Sequence, residues 1–445
     1  MKKAQIPTFI FIWFIVMHGR SQHLDKIWQA VEQGDEVTAV KLLETSEDNS
    51  TTPNEFYQML HLLAGKKEFP GLQAEALFKL GIWFQEKKNL DSAYAYFNQS
   101  LTLNEEIYNR DGLAKCLYRS SRIKALQGDF EEARVQAVRG LYLSRDIGNK
   151  KLEYRVGNIV SWSFFSSMYD FEAILEHEGN QARLAKELGD EAAIAAVSSN
   201  LAYDHTVSGK VQLDSLKSLM NHANNYYASA EGHNGRWYTL MNLTWLYRLS
   251  GQYESAADFA EKSLAQAEKI DDRHAIIEAS VQYGETLLAM DKVEEAGKYY
   301  QLGASARGDG KDRDGYVFDV YYAHYLSATG QVNKAIRLLE EAVLFLATSE
   351  VFYEMHGRAI LAQLYFSMGE VEKAKAQIEV FKNPRSEYIS FESRCLLACT
   401  QSRILAYEGQ MAKARTLLRA YLKHAESISA GHLAGYIVQT MKDLF

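Results

Sequence analysis

The side chains of this chain best suited to chemistry are ones that hold a partner, not ones that break bonds. Asn200 and Asn242 stand 42 positions apart, the same interval that separates Gly209 from Gly251 in two copies of a recurring turn. A carboxamide donates and accepts at once, which suits a peptide amide. Tyr203, Tyr238 and Trp245 lie beside them in sequence and are amphipathic anchors of the kind that dominate binding hot spots. Arg248 can take a carboxylate in the same neighbourhood, and Tyr321 and His324 fall in a later copy. Lys115, Arg119 and Arg122 form a basic cluster suited to an acidic segment, within a chain whose formal charge is −8.

Bond-making chemistry has no comparable signal. The 12 histidines are scattered, with no His-Glu-x-x-His helix and no Cys/His spacing that would hold a metal. Neither a Gly-x-Ser-x-Gly elbow nor a P-loop is present. The run from Asp309 to Gly315 has the look of a calcium loop. Counted back from Gly315 as the sixth position, however, the first is Gly310 and the twelfth Tyr321, neither a carboxylate. It is expected to be a connection between helices. Of the 3 cysteines, Cys395 and Cys399 are four apart on one helix, a poor geometry for a disulfide, and Cys116 is distant; all three read as buried thiols. No cofactor and no enzymatic activity are expected. The acidic balance argues against a nucleic-acid partner.

The elements that would position these residues come from a repeat. A six-residue phrase opens at Gly34, Lys88, Gly128, Tyr169, Gly209, Gly251, Asp291, Gly330, Gly369 and Gly409, with intervals from Lys88 onward of 40, 41, 40, 42, 40, 39, 39 and 40. A period in this range marks a repeat architecture. Apolar residues lie at helical spacing on both sides of each phrase: Leu240, Leu243, Leu246 and Leu249 before Gly251, and Tyr253, Ala256, Ala260 and Leu264 after it. Each unit is therefore an αα-hairpin with the phrase as its turn, where a glycine supplies the left-handed end of the first helix. A second punctuation, as in Leu188-Gly189-Asp190, joins one unit to the next.

The sixth residue of the phrase is Ala39, Ala93, Ala133, Ala256, Ala296, Ala335, Ala374 or Ala414 in eight copies, and Ile174 or Asp214 in the other two. An alanine held this constant points to close contact between the two helices of a hairpin, where a larger side chain forces them apart.

Leu80-Gly81, Phe84, Ala93, Phe97 and Leu101, and again Tyr283-Gly284, Leu287, Ala296 and Tyr300, resemble the small-and-large packing positions of the tetratricopeptide repeat (TPR) family in its long-period form, about 40 residues per repeat. The closing proline of the family is absent; the extra residues of the Gly-Asp junction look like those of long-hairpin members found in signalling scaffolds and bacterial regulators. The resemblance covers about residues 24 to 430. It implies an all-α, right-handed α-solenoid of stacked antiparallel helical hairpins, with the first helix of each hairpin on the concave side. It also implies a groove formed by Asn200, Tyr203, Tyr238, Asn242, Trp245, Arg248, Tyr321 and His324, in which the paired asparagines grip the backbone of an extended peptide.

The expected organisation is a signal peptide over 1–21, a capping hairpin with an extra helix over 22–70, about nine repeats over 71–428 and a closing helix over 429–445. Lys2 and Lys3 followed by the apolar run Ile6 to Met17 read as a signal peptide. Gly19-Arg20-Ser21 suits cleavage before Gln22, giving an exported, periplasmic or secreted protein with no membrane span after cleavage and a mature charge of −11. The expected partner is a protein or peptide held by a non-enzymatic scaffold or adaptor; the oligomeric state stays open. The alternatives are a sensory module acting in trans on a signalling partner, or a solenoid holding a small ligand or glycan. A closed, aromatic-lined cavity in place of an open groove would favour the last. A buried cluster of Asp, Glu or His in the groove with strongly shifted pKa values would revive an enzyme.

Overall fold

The computed structural model describes residues 22–45, 54–167, 171–229, 235–309, 311–347, 350–381 and 389–445. The signal-peptide reading over 1–21, the turn at Tyr169 and the prolines Pro53 and Pro384 lie outside them. Every element described is helical: α1 (Gln22–Gln33), α2 (Glu36–Thr45), α3 (Asn54–Lys67), α4 (Pro70–Glu86), α5 (Leu90–Glu106), α6 (Arg110–Leu126), α7 (Phe130–Asp146), α8 (Lys150–Ser167), α9 (Phe171–Leu188), α10 (Glu191–Ser208), α11 (Leu213–Ser229), α12 (Arg236–Leu249), α13 (Tyr253–Lys269), α14 (Arg273–Ala289), α15 (Val293–Arg307), α16 (Arg313–Ala328), α17 (Val332–Leu346), α18 (Val351–Ser367), α19 (Val371–Val380), α20 (Phe391–Tyr407), α21 (Met411–Ser427) and α22 (Gly431–Leu444).

The turn phrases fall between paired helices, as their spacing requires. Gly330 takes φ +78° between α16 and α17, and Lys88 takes φ +59° in the glycine's place between α4 and α5. The junction residues cap the helices that follow. Asp190 accepts from the Ala193 N–H, Asp272 from Ala275 and Asp312 from Gly315. Asp312 therefore caps α16, and Arg313, Asp314 and Gly315 of the calcium-like run form the first turn of that helix.

All eight hairpin alanines are fully buried. The small-and-large pairs of the repeat are direct contacts: a Cβ added at Gly81 would lie 2.5 Å from the Phe97 ring, and one at Gly284 would lie 2.7 Å from Tyr300. Each glycine lets an aromatic ring of the second helix lie flat on the first. The hairpin of α10 and α11 departs from the rule. Asp214 is exposed and bonds Lys217, while Leu216, at 2% exposure, packs where the alanine packs elsewhere. Counted from its glycine, this turn reaches the next helix two residues later than the others, Gly209 to Leu213 against Gly251 to Tyr253, which accounts for the 42-residue interval.

The chain forms two compact units, Met1–Val160 and Ser161–Phe445. In the first, α1 to α7 stack hairpin on hairpin. The apolar stretch from Phe56 to Ala64 is helix α3, whose Phe56, Leu60 and Ala64 share a core with Leu72, Ala76 and Leu80 of α4. In the second unit the stack from α10 onward bends through a full turn, so that α20 packs on α10 and α22 on α12. One core joins residues between Ala202 and Leu249 to residues between Tyr316 and Ile437, while Ile277, Val281, Leu287, Ala296 and Tyr300 of α14 and α15 form a separate cluster with Phe318.

Candidate functional site

The closure of the second unit is made by its connections. The long turn after α10 is gripped by the one after α21. The Leu213 N–H donates to the Ile428 carbonyl at 3.1 Å, Ser429 Oγ donates to Gln212 Oε1 at 2.9 Å, and His424 Nε2 lies 2.8 Å from the Gly209 carbonyl. The Gln212 carboxamide also reaches the Ser427 carbonyl. Arg394 donates to the Ser208 carbonyl at 2.7 Å. Of the residues of the turn after α10, Lys210 pairs with Glu172 of α9, while Gly209, Gln212 and Leu213 make the contacts to the later turn.

Inside this ring, the first helices α10, α12, α14, α16 and α18, with α20 and α22 completing the turn, supply every residue of two pockets. The first, of about 30 Å³, is aromatic: Tyr203, Trp245, Tyr321, Phe352 and Tyr353 surround Asn242, Glu278 and Gln282. Tyr203 packs at 6.1 Å from Tyr238 and 5.6 Å from Trp245 between ring centroids. Asn242 is fully buried, and neither its amide nitrogen nor its oxygen makes a well-formed hydrogen bond, although the Tyr238 side chain adjoins it.

The second pocket, of about 370 Å³, has a charged wall and an aliphatic wall. On the charged wall, Glu392 accepts from Trp245 Nε1 at 2.9 Å and from Arg248 Nη1 at 3.0 Å. Glu285 adjoins His324 Nδ1 at 3.1 Å and accepts from the Tyr300 hydroxyl. Burial alone would raise the Glu392 pKa, but Arg248, His356 and His432 outweigh it and hold it at about 2. Burial likewise opposes ionisation of Glu285 and of His324, and their mutual attraction overrides it, lowering the acid and raising the histidine. Burial pushes His356 and His432 down to about 4, with the Arg248 charge adding to the effect on both.

The histidine and carboxylate cluster that would revive an enzyme is thus present in the groove, and its chemistry is that of a charge network. An acid–base catalyst works best with a pKa near the ambient pH. Here Glu392, His356 and His432 sit far below neutrality, and Glu285 and His324 are bound to each other. Among the described residues no group of His, Cys, Asp or Glu is arranged to hold a metal ion. The three cysteines are free and buried.

The structure therefore brings together Tyr203, Tyr238, Asn242, Trp245, Arg248, Tyr321 and His324 on one face. Asn200 is a half-buried α10 residue one turn before Tyr203. Tyr203, Tyr238, Tyr321 and His324 are half-buried along this face. Asn242 and Arg248 are buried inside a closed turn of the solenoid, with Arg248 at 2% exposure. Lys115, Arg119 and Arg122 lie apart, on α6 of the first unit. Lys115 is already neutralised by Asp111 at 2.6 Å and Glu44 at 3.1 Å, Arg119 bonds Gln85, and Arg122 is exposed. Arg403, a residue of the same register on α20, donates to Thr440.

Sequence reasoning missed Glu285, Gln363, His356, Glu392 and His432. The first two were within reach. Counted back from each turn, the sixth residue is Tyr203, Trp245, Glu285, His324, Gln363 and Arg403 in successive hairpins, a single stripe along the concave face. The other three belong to no common register.

Residues 72–141 match the model of the tetratricopeptide repeat family. Comparison with curated protein sequences gives no match. Among solved structures, the apo form of the quorum sensor NprR from B. thuringiensis superposes with a TM-score of 0.54 at 13% identity, covering 81% of this chain and 96% of that one. The apo form of RapI superposes with a TM-score of 0.51 at 17% identity, covering 61% and 96%. At these identities the likeness speaks for the fold. With the hairpin alanines, the glycine–aromatic pairs and the stacked hairpins within each unit, it shows that this chain has the repeat fold of a TPR-like α-solenoid.

Proposed function

We propose that this chain is an exported, non-enzymatic scaffold or adaptor that holds a protein or peptide segment against the concave face of its second unit. Asn242 carries the reading. A buried polar group left without a partner costs about 1–3 kcal/mol, and here neither end of one carboxamide makes a well-formed bond, with only the Tyr238 side chain adjoining it, beside a pocket lined by aromatic rings. A backbone amide presented at the mouth of that pocket would satisfy donor and acceptor together. Tyr203 and Tyr321 flank it as anchors. Export rests on the leader-like first 21 residues, and N-terminal sequencing of the mature protein should then begin at Gln22.

The test is capture of partners from envelope extract by the mature chain and by a variant carrying Asn200→Ala and Asn242→Ala, both first shown to have the same helical circular dichroism. Loss of a captured protein in the variant supports the concave face as the site; equal capture by both contradicts it. The small-ligand alternative uses the same face with a smaller occupant, and the second pocket favours it.

A further inference from the structure

The pocket of about 370 Å³ between α12, α14, α16, α18, α20 and α22 is a site in its own right, lying beyond the aromatic pocket around Asn242. At about 30 Å³ per water it has the volume of roughly a dozen waters, enough for a molecule of about ten non-hydrogen atoms. Its size is at the lower end of small-molecule sites.

Two properties of its walls select the occupant. The first is charge. Arg248 is paired with Glu392 at 3.0 Å and His324 with Glu285 at 3.1 Å, and burial lowers His432. An added ion has no unmatched opposite charge to meet and would lose its hydration for nothing. The second is hydrogen bonding. The Glu285 and Glu392 carboxylates are each bound by two donors. Donors are in surplus: Arg248 Nε has no partner, and Gln363, whose oxygen accepts from the Tyr436 hydroxyl, has its amide N–H groups left over. The rest of the lining is aliphatic: Leu288, Ile360, Leu364, Leu396 and Leu433.

We infer that this pocket binds a small uncharged aliphatic molecule bearing a carbonyl acceptor, an amide or ester, with the carbonyl on the Gln363 amide and the chain against the leucines. The inference rests on the concave face being the binding face, but it concerns a different pocket and a different occupant from the Asn242 site.

Isothermal titration calorimetry on the full mature chain at pH 7, with hexanamide, hexanoate and hexylamine as probes, tests it. The three share one alkyl chain and differ in the charge of the head. Hexanamide should bind at least tenfold more tightly than either ion. Ala328→Trp, at the exposed rim of the pocket, should weaken it at least fivefold with the circular dichroism unchanged, and Gln363→Leu should do the same. If Gln363→Leu misfolds, the rim variant alone decides. Equal or tighter binding of hexanoate or hexylamine, no binding of any probe, or undiminished hexanamide binding to Ala328→Trp would overturn the inference. Each of these would leave partner capture through Asn242 untouched, so the two readings fail separately.

Discussion

Arg248 on α12 and Glu392 on α20 are 144 residues apart in sequence and meet at 3.0 Å, with the arginine side chain at 3% exposure and the glutamate at 13%. The pair joins the beginning and end of one turn of the solenoid. Removing one partner of a buried pair leaves the other charge uncompensated, at about 3–5 kcal/mol. Glu392→Leu should therefore lower the denaturation free energy of the second unit by about 3 kcal/mol. The double change Arg248→Met with Glu392→Leu should recover most of it, as read by urea unfolding monitored by circular dichroism.

How far this was legible in the sequence depends on the range of the contact. The hairpins and the buried alanines are local and periodic, so spacing revealed them, while Gly81, Phe97, Gly284 and Tyr300 were marked by the family resemblance as small-and-large packing positions. The groove side chains of α10, α12 and α16 followed from counting back to the turn. Glu392 and His432 lie near the starts of α20 and α22, while Trp245 and Arg248 lie near the end of α12. Only the rise of the solenoid over a full turn brings those levels together, and no local period records it. The one sequence trace of closure is the 42-residue interval, whose two extra residues lengthen the turn that docks on Ile428.

Deleting Lys210 and Val211 should restore the common turn length and undo that docking. Amide hydrogen exchange followed by mass spectrometry should then show faster exchange across 424–432, with α13 and α14 unaffected.

Ala256 is fully buried where α12 and α13 touch. Ala256→Leu should cost about 1–3 kcal/mol by overpacking, whereas the same change at the exposed Ala412 should cost little. Thermal midpoints of the two variants make the comparison.

Two titrations run in opposite directions. Burial raises the Glu178 carboxyl to about 7 from an ordinary value of 4.5. The folded state therefore holds more protons between those values, and the stability this group gives is lost as pH rises through 7. Glu178→Gln should stabilise the protein at pH 8 by on the order of 2 kcal/mol and make little difference at pH 4.5, read from urea midpoints at the two pH values.

His432 is the reverse case. Burial and Arg248 lower it from 6.5 to about 4. The unfolded state then holds more protons in that window, so stability falls as pH drops from 6.5 to 4. His432→Gln should flatten that part of the stability profile.

Closure of the second unit is the central claim, since it brings α20 and α22 onto α10 and α12 and completes the walls of the second pocket. The Leu213 N–H donates to the Ile428 carbonyl at 3.1 Å, so the backbones beside Gln212 and Ser429 touch, and the native cysteines are buried. The most direct measurement is disulfide formation in a Gln212→Cys, Ser429→Cys variant under mild oxidation of the folded protein, with bridged peptides identified by mass spectrometry. Closure predicts rapid, near-complete bridging of 212 to 429 with unchanged circular dichroism. Two thiols that stay free under those conditions would contradict it.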